Sequence, residues 1–146
     1  MTATPTRPTT PSLRLHACAV GGAVLADSLL WTAARGLGVE LRVDPGDGRP
    51  SQVVGLPLVA GITLVVALLA SATRAVLGRM TDRAPAVWTA SALIVLLVSF
   101  VPVLYVEASS STRITLALLH LSVAAVLVPL LSRPSRPAPA IREGRR

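Results

Sequence analysis

The sequence predicts an all-α membrane protein: a four-transmembrane-helix bundle with a short extracytoplasmic β-hairpin between helices 1 and 2. Three observations carry that expectation. Half of the 146 residues are apolar and only 14% are charged. The charges gather between long apolar runs, whereas a soluble amphipathic helix repeats them along one wet face. There are four such runs, each of about 20 residues, the length that crosses a bilayer. A chain this short has no soluble core large enough to hide four helices that are apolar all round.

Residues 1–13 are rich in Pro and Thr, lack periodicity and are expected to form a disordered tail. The first helix is expected over about residues 15–35, between Arg14 and Arg35. A cleaved signal peptide is the rival reading, with Val24 and Ala26 before Asp27 as its small-residue site. The apolar run continues through Leu29, Leu30 and Trp31, which a signal peptide does not need. Ala17, Gly21, Gly22 and Ala26 supply small residues at about four-residue spacing, a face that lets another helix approach closely. Their abundance in this chain explains the pattern equally well. Cys18 is the single cysteine, so no internal disulfide and no CxxC redox pair can form. No apolar stretch precedes it, which excludes a lipoprotein cleavage box.

Gly36 and Gly38 end that helix. Val39–Val43 then alternates apolar and charged residues as a half-buried strand does, and Asp44-Pro45-Gly46-Asp47-Gly48 is dense turn chemistry. A second strand over residues 49–54 completes a hairpin turning at Pro45-Gly46. The second helix is expected over about 53–73, with Pro57 in its first turns and Ala60, Thr63, Ala67 and Ala70 on an inward face. Arg74, Arg79 and Arg83 with Asp82 read as a basic loop. The third helix is expected over about 86–106, with Trp88 and Tyr105 near opposite water boundaries, Pro102 kinking its end, and Ser91 and Ser99 bonding their own backbone. Residues 107–113 read as a polar connection. The fourth helix is expected over about 114–131, and residues 133–146 as a disordered basic tail. The two halves share no repeat, which weakens an inverted-repeat transporter reading.

Arginine placement sets the expected orientation. All 14 basic residues are Arg, a compositional mark of a GC-rich bacterium. Both tails and the 74–83 loop are basic, while the 35–52 and 107–113 loops each balance to zero. The positive-inside rule then puts both termini in the cytoplasm of a multi-pass cell-membrane protein, with the hairpin outside. The net charge of +7 belongs to this topology and not to a nucleic-acid surface.

The Asp-bearing first helix, VELRVDPGDGRPSQVVG, Val87-Trp88-Thr89 and LALLHLSVAAVLVP together resemble an uncharacterised family of small four-pass actinobacterial integral membrane proteins, a domain-of-unknown-function family. The resemblance covers roughly residues 14–131. It implies a topology and no activity.

The chain has no Walker A loop, no GxGxxG and no metal-ligand cluster. Its histidines, His16 and His120, are expected on opposite sides of the bilayer. Ser28, Asp27 and His120 supply the letters of a hydrolase triad without a nucleophile elbow. No catalytic residue, cofactor or metal site is therefore assigned. The residues that stand out are Asp27 and His120. Asp27 lies eight residues inside Arg35 and His120 seven inside Arg113. At ~1.5 Å per residue both sit ~10–12 Å below the outer surface. An ionised Asp at mid-helix costs on the order of 2.5–3.5 kcal/mol to insert, which selects for a partner, a water cavity or a proton. Ala23, one turn before Asp27, and Ala117 and Ala124, flanking His120, leave room for contact. The pair is expected to face the bundle interior, either as a structural hydrogen bond or as a proton-carrying site.

Two functions stay open. One is a non-enzymatic structural or accessory membrane protein. The other is a small oligomeric transporter or proton-coupled permease using Asp27 and His120. The expected partners are the lipid bilayer and either another membrane protein or a second copy of the chain.

Overall fold

The computed structural model describes residues 10–44 and 50–133. The elements are α1 (Thr10–Gly36), β1 (Arg42–Val43), β2 (Gln52–Val53), α2 (Leu56–Met80), α3 (Ala84–Tyr105) and α4 (Ser110–Leu131). All four helices are long and apolar enough to cross a membrane. The expected architecture, four spans with a hairpin between the first two, is therefore present.

Side-chain contacts fix the helix directions. Trp31 near the end of α1 donates to the Val54 carbonyl just before α2, and Asp27, a turn earlier, meets Thr63 in α2. Position rises along one helix as it falls along the other, so α1 and α2 are antiparallel. In α4, Ser122 meets the same Asp27, while Val126 meets Gly22, so α1 and α4 are antiparallel too. Helix α1 packs on both α2 and α4, α3 packs chiefly on α4, and α2 and α3 meet sparingly.

Small residues let these helices close. The buried row of α1 is Ala19, Ala23 and Asp27, at four-residue steps. The expected face differs: Ala17 and Gly21 are exposed, while Gly22 meets α4, where a Cβ would lie 3.4 Å from Val126. The direction of Asp27 decides this. A face that buries Asp27 also buries the residues four and eight before it. On α2 the buried row is Val59, Thr63, Ala67, Ser71 and Arg74, which contains the expected Thr63 and Ala67. Ala19, Ala23 and Ala67 join Trp88, Leu127 and Leu131 in one buried cluster.

Several boundaries depart from the sequence expectation for local reasons. Helix α1 begins at Thr10, inside the expected tail; Pro11 falls in its first turn, where no intrahelical N–H partner is needed. Helix α2 runs on to Met80, so Arg74 and Arg79 are helical and the connection to α3 is only Thr81–Arg83. Nothing between Thr73 and Gly78 breaks a helix, and Arg74 gains a buried partner by staying in register. Helix α4 starts at Ser110, because the Ser109 hydroxyl oxygen accepts from the Thr112 N–H at 3.2 Å and caps the first turn. Trp88 turns into the bundle. It is 5% exposed and fills the space that the alanines of α1 and α2 leave open. Tyr105 is exposed.

The hairpin is shorter than expected. Arg42 pairs with Val53 and Val43 with Gln52, antiparallel. The turn expected at Pro45-Gly46 lies outside the described residues. Two strands of this length are marginal alone, and the helix ends support them. Leu41 is fully buried. The Asp44 N–H donates to the Glu107 carbonyl at 3.0 Å, and the Thr112 hydroxyl donates to the Glu40 carbonyl at 2.9 Å.

Candidate functional site: a buried carboxylate and its cavity

Asp27 and Arg74 are the buried charged residues among those described. They lie at different depths and have different partners. Asp27 is 2% exposed. Its Oδ2 accepts from the Thr63 hydroxyl at 2.6 Å, and its Oδ1 accepts from the Ser122 hydroxyl. One carboxylate thus ties α1 to α2 and α4 at a single level. Buried polar groups need such partners, because an unpaired one forfeits its hydration with no return. Ser122 Oγ also lies 3.0 Å from the Leu119 carbonyl, so its one proton has two acceptors within reach. Among the described residues no cation pairs with Asp27.

Arg74 sits at the far end of the same buried row of α2. Its Nε donates to the Leu131 carbonyl at 2.7 Å. Leu131 is the last residue of α4, where carbonyls lack intrahelical partners and the helix dipole is negative. The guanidinium answers both. The neighbouring hydroxyls of Thr89 and Ser132 lie 2.9 Å apart and join α3 to the end of α4.

The structure puts Asp27 and His120 in the wall of one cavity of about 520 Å³. The hydrogen bonds of Asp27 come from Thr63 and Ser122, however, and not from His120. The His120 Nδ1 lies 2.7 Å from the carbonyl of Leu116, one turn back on its own helix. A carbonyl only accepts, so Nδ1 carries the proton there, and in the neutral ring Nε2 is left as an acceptor. The ring also tilts against Phe100, with centroids 6.1 Å apart. Thr63 is expected on an inward face, but sequence spacing couples neither it nor Ser122 to Asp27. The usable signal was the cost of the acid itself: it calls for hydroxyls at matching depth on neighbouring helices.

The cavity lies between α2 and α3, with α4 behind it and Asp27 of α1 in its inner wall. These two helices meet sparingly. Its lining is mostly aliphatic; Asp27, Thr63 and His120 are among the polar exceptions, and Trp88 adds an aromatic surface. The volume is within the range of roughly 300–1,000 Å³ typical of small-molecule sites. The Trp88 Nε1–H is buried and has no hydrogen-bond partner among the described residues. No group of three or more His, Cys, Asp or Glu among the described residues can hold a metal ion.

A family model described as a family of unknown function (DUF6069) matches residues 7–137. No curated protein and no solved structure matches the chain.

Proposed function

The chain belongs to this family of unknown function, and on that premise we propose that it is a non-enzymatic structural or accessory protein of a bacterial cell membrane. The observation that carries the reading is the three-helix junction at Asp27, with both carboxylate oxygens answered by hydroxyls of α2 and α4. An acid whose two oxygens are both hydrogen-bonded in this way supports helix assembly, and nothing around it among the described residues forms a nucleophile–base–acid constellation. Arginine-only basic composition supports an actinobacterial source. The Arg excess in both tails and around Arg79 and Arg83 supports cytoplasmic termini and an external hairpin. In this reading the chain works through a second membrane protein or a second copy of itself. Crosslinking in native membranes followed by purification of the full chain tests it. Stoichiometric recovery of one membrane partner, or of a homodimer, supports the reading, and recovery of the monomer alone opposes it.

A second reading, a small oligomeric transporter or proton-coupled permease, draws on one observation. Asp27 and His120 line the same cavity. The test is a cycle of Asp27→Asn, His120→Ala and the double variant in proteoliposomes. Non-additive loss of pH-dependent flux supports the permease, and strictly additive effects remove the pairing.

A further inference from the structure

We propose that the cavity between α2 and α3 is a binding site for a lipophilic organic cation: an amine or quaternary group carried on a hydrocarbon or aromatic body. The site goes beyond both functional readings, since it requires neither a protein partner nor movement across the membrane.

Three features define the ligand. The first is charge. Asp27 is the buried acid among the described residues, it stands in the cavity wall, and no cation pairs with it there. Thr63 and Ser122 supply hydrogen bonds but no charge. Arg74 is occupied with the end of α4. In a low-dielectric interior an uncompensated carboxylate is costly, and a cation brought beside it removes that cost. His120 shares this wall, with its Nδ1 held 2.7 Å from the Leu116 carbonyl. The polar wall at this depth therefore favours a donor or a positive charge.

The second feature is the body of the cavity. About 520 Å³ of mainly aliphatic wall suits a molecule that is mostly apolar. A bare metal ion gains nothing from the aliphatic wall, and no group of three or more His, Cys, Asp or Glu stands among the described residues to hold one. A lipid tail fits the wall but leaves Asp27 uncompensated. Trp88 also lines the cavity and adds apolar surface for the body of the ligand.

The third feature is access. The cavity lies between α2 and α3, which meet sparingly, and Ile62, Val66 and Val95 in its lining are exposed. Those side chains face lipid once the helices span a bilayer. A ligand that partitions into the membrane reaches the site sideways, without crossing the polar ends of the bundle.

The test uses the full chain in nanodiscs of neutral phospholipid, with equilibrium dialysis of labelled tetraphenylphosphonium. Triphenylphosphine oxide is the uncharged control. The expected result is saturable binding of the cation, at least tenfold tighter than the control. Asp27→Asn lowers cation affinity tenfold or more and leaves binding of the control unchanged. Val95→Trp, at an exposed position on the rim, weakens both ligands and tests the location in a chain whose polar junction is intact. If Asp27→Asn does not fold, Asp27→Glu takes its place: retained selectivity for the cation, with loss of binding in Val95→Trp, supports the proposal. Equal affinity for cation and control, or equal cation binding by wild type and Asp27→Asn, overturns it and leaves an apolar or lipid pocket. Absence of saturable binding also overturns it. None of these outcomes depends on whether a protein partner is recovered from membranes, so the binding site and the accessory reading fail separately.

Discussion

The chemistry of Asp27 is set by two hydroxyls. Thr63→Val keeps the shape of the side chain and removes the donor, leaving Oδ2 unanswered, and Ser122→Ala does the same at Oδ1. Each change is expected to lower bundle stability by about 0.6–2 kcal/mol, the range of interhelical hydrogen bonds in membranes. In a double-mutant cycle each should couple to Asp27→Asn, because both bonds end on the same carboxylate. Reversible unfolding in mixed micelles measures this, and additive effects would mean that the bonds carry no stability. Trp88 makes a different prediction. Its Nε1–H is buried without a partner, so Trp88→Phe keeps most of the packing and removes the orphan donor. The variant is expected to be as stable as the wild type or more so, whereas Trp88→Ala opens the core cluster and costs about 3–5 kcal/mol.

Elements are held at their ends. Arg74, 9% exposed, joins the second-last turn of α2 to the last residue of α4. Arg74→Met retains the apolar stem and loses the charged hydrogen bond, which is worth about 1.5–3 kcal/mol when desolvated. The same change at the exposed Arg79 should leave stability near wild type. Hydrogen exchange should locate the Arg74 effect in the last turn of α4. At the other end of the bundle, Leu41 plugs the hairpin into the helix ends with no exposed surface. Leu41→Ala is expected to cost about 2–5 kcal/mol and to speed exchange of the Val54 N–H, which donates to the Leu41 carbonyl at 2.7 Å. Unchanged protection at Val54 would detach the hairpin from its anchor.

At the scale of the whole molecule, orientation follows from where arginine is and is not. A reporter active only in the cytoplasm, fused at either terminus, is expected to be active, and one inserted at Asp47 silent. The reverse pattern would invert the protein in the membrane and with it the depth assigned to Asp27. Moving charge provides the sharper check: neutralising Arg79 and Arg83 while adding basic residues at the hairpin erodes the asymmetry and should give mixed topologies.

What the sequence determined is what bilayer physics makes local. Hydrocarbon admits only segments that satisfy their own backbone, so four apolar runs sufficed to identify four helices. Alternation and turn chemistry located the hairpin, and the expense of an intramembrane acid singled out Asp27. Tertiary structure decided everything that depends on which faces meet. Small residues occur on several faces of α1, and only the packed bundle selects Ala19, Ala23 and Asp27 over Ala17 and Gly21. Depth matched Asp27 to His120, but Thr63 and Ser122 lie within reach and His120 turns its proton to its own backbone. Aromatic preference placed Trp88 near a membrane boundary, and the packed bundle turns its ring into a space left by alanines on two other helices. Arg74 read as a loop charge because its partner, the end of α4, lies 57 residues away in the chain. Spacing along a helix fixes depth and a candidate face. The rotation of each helix against its neighbours decides which of those residues touch.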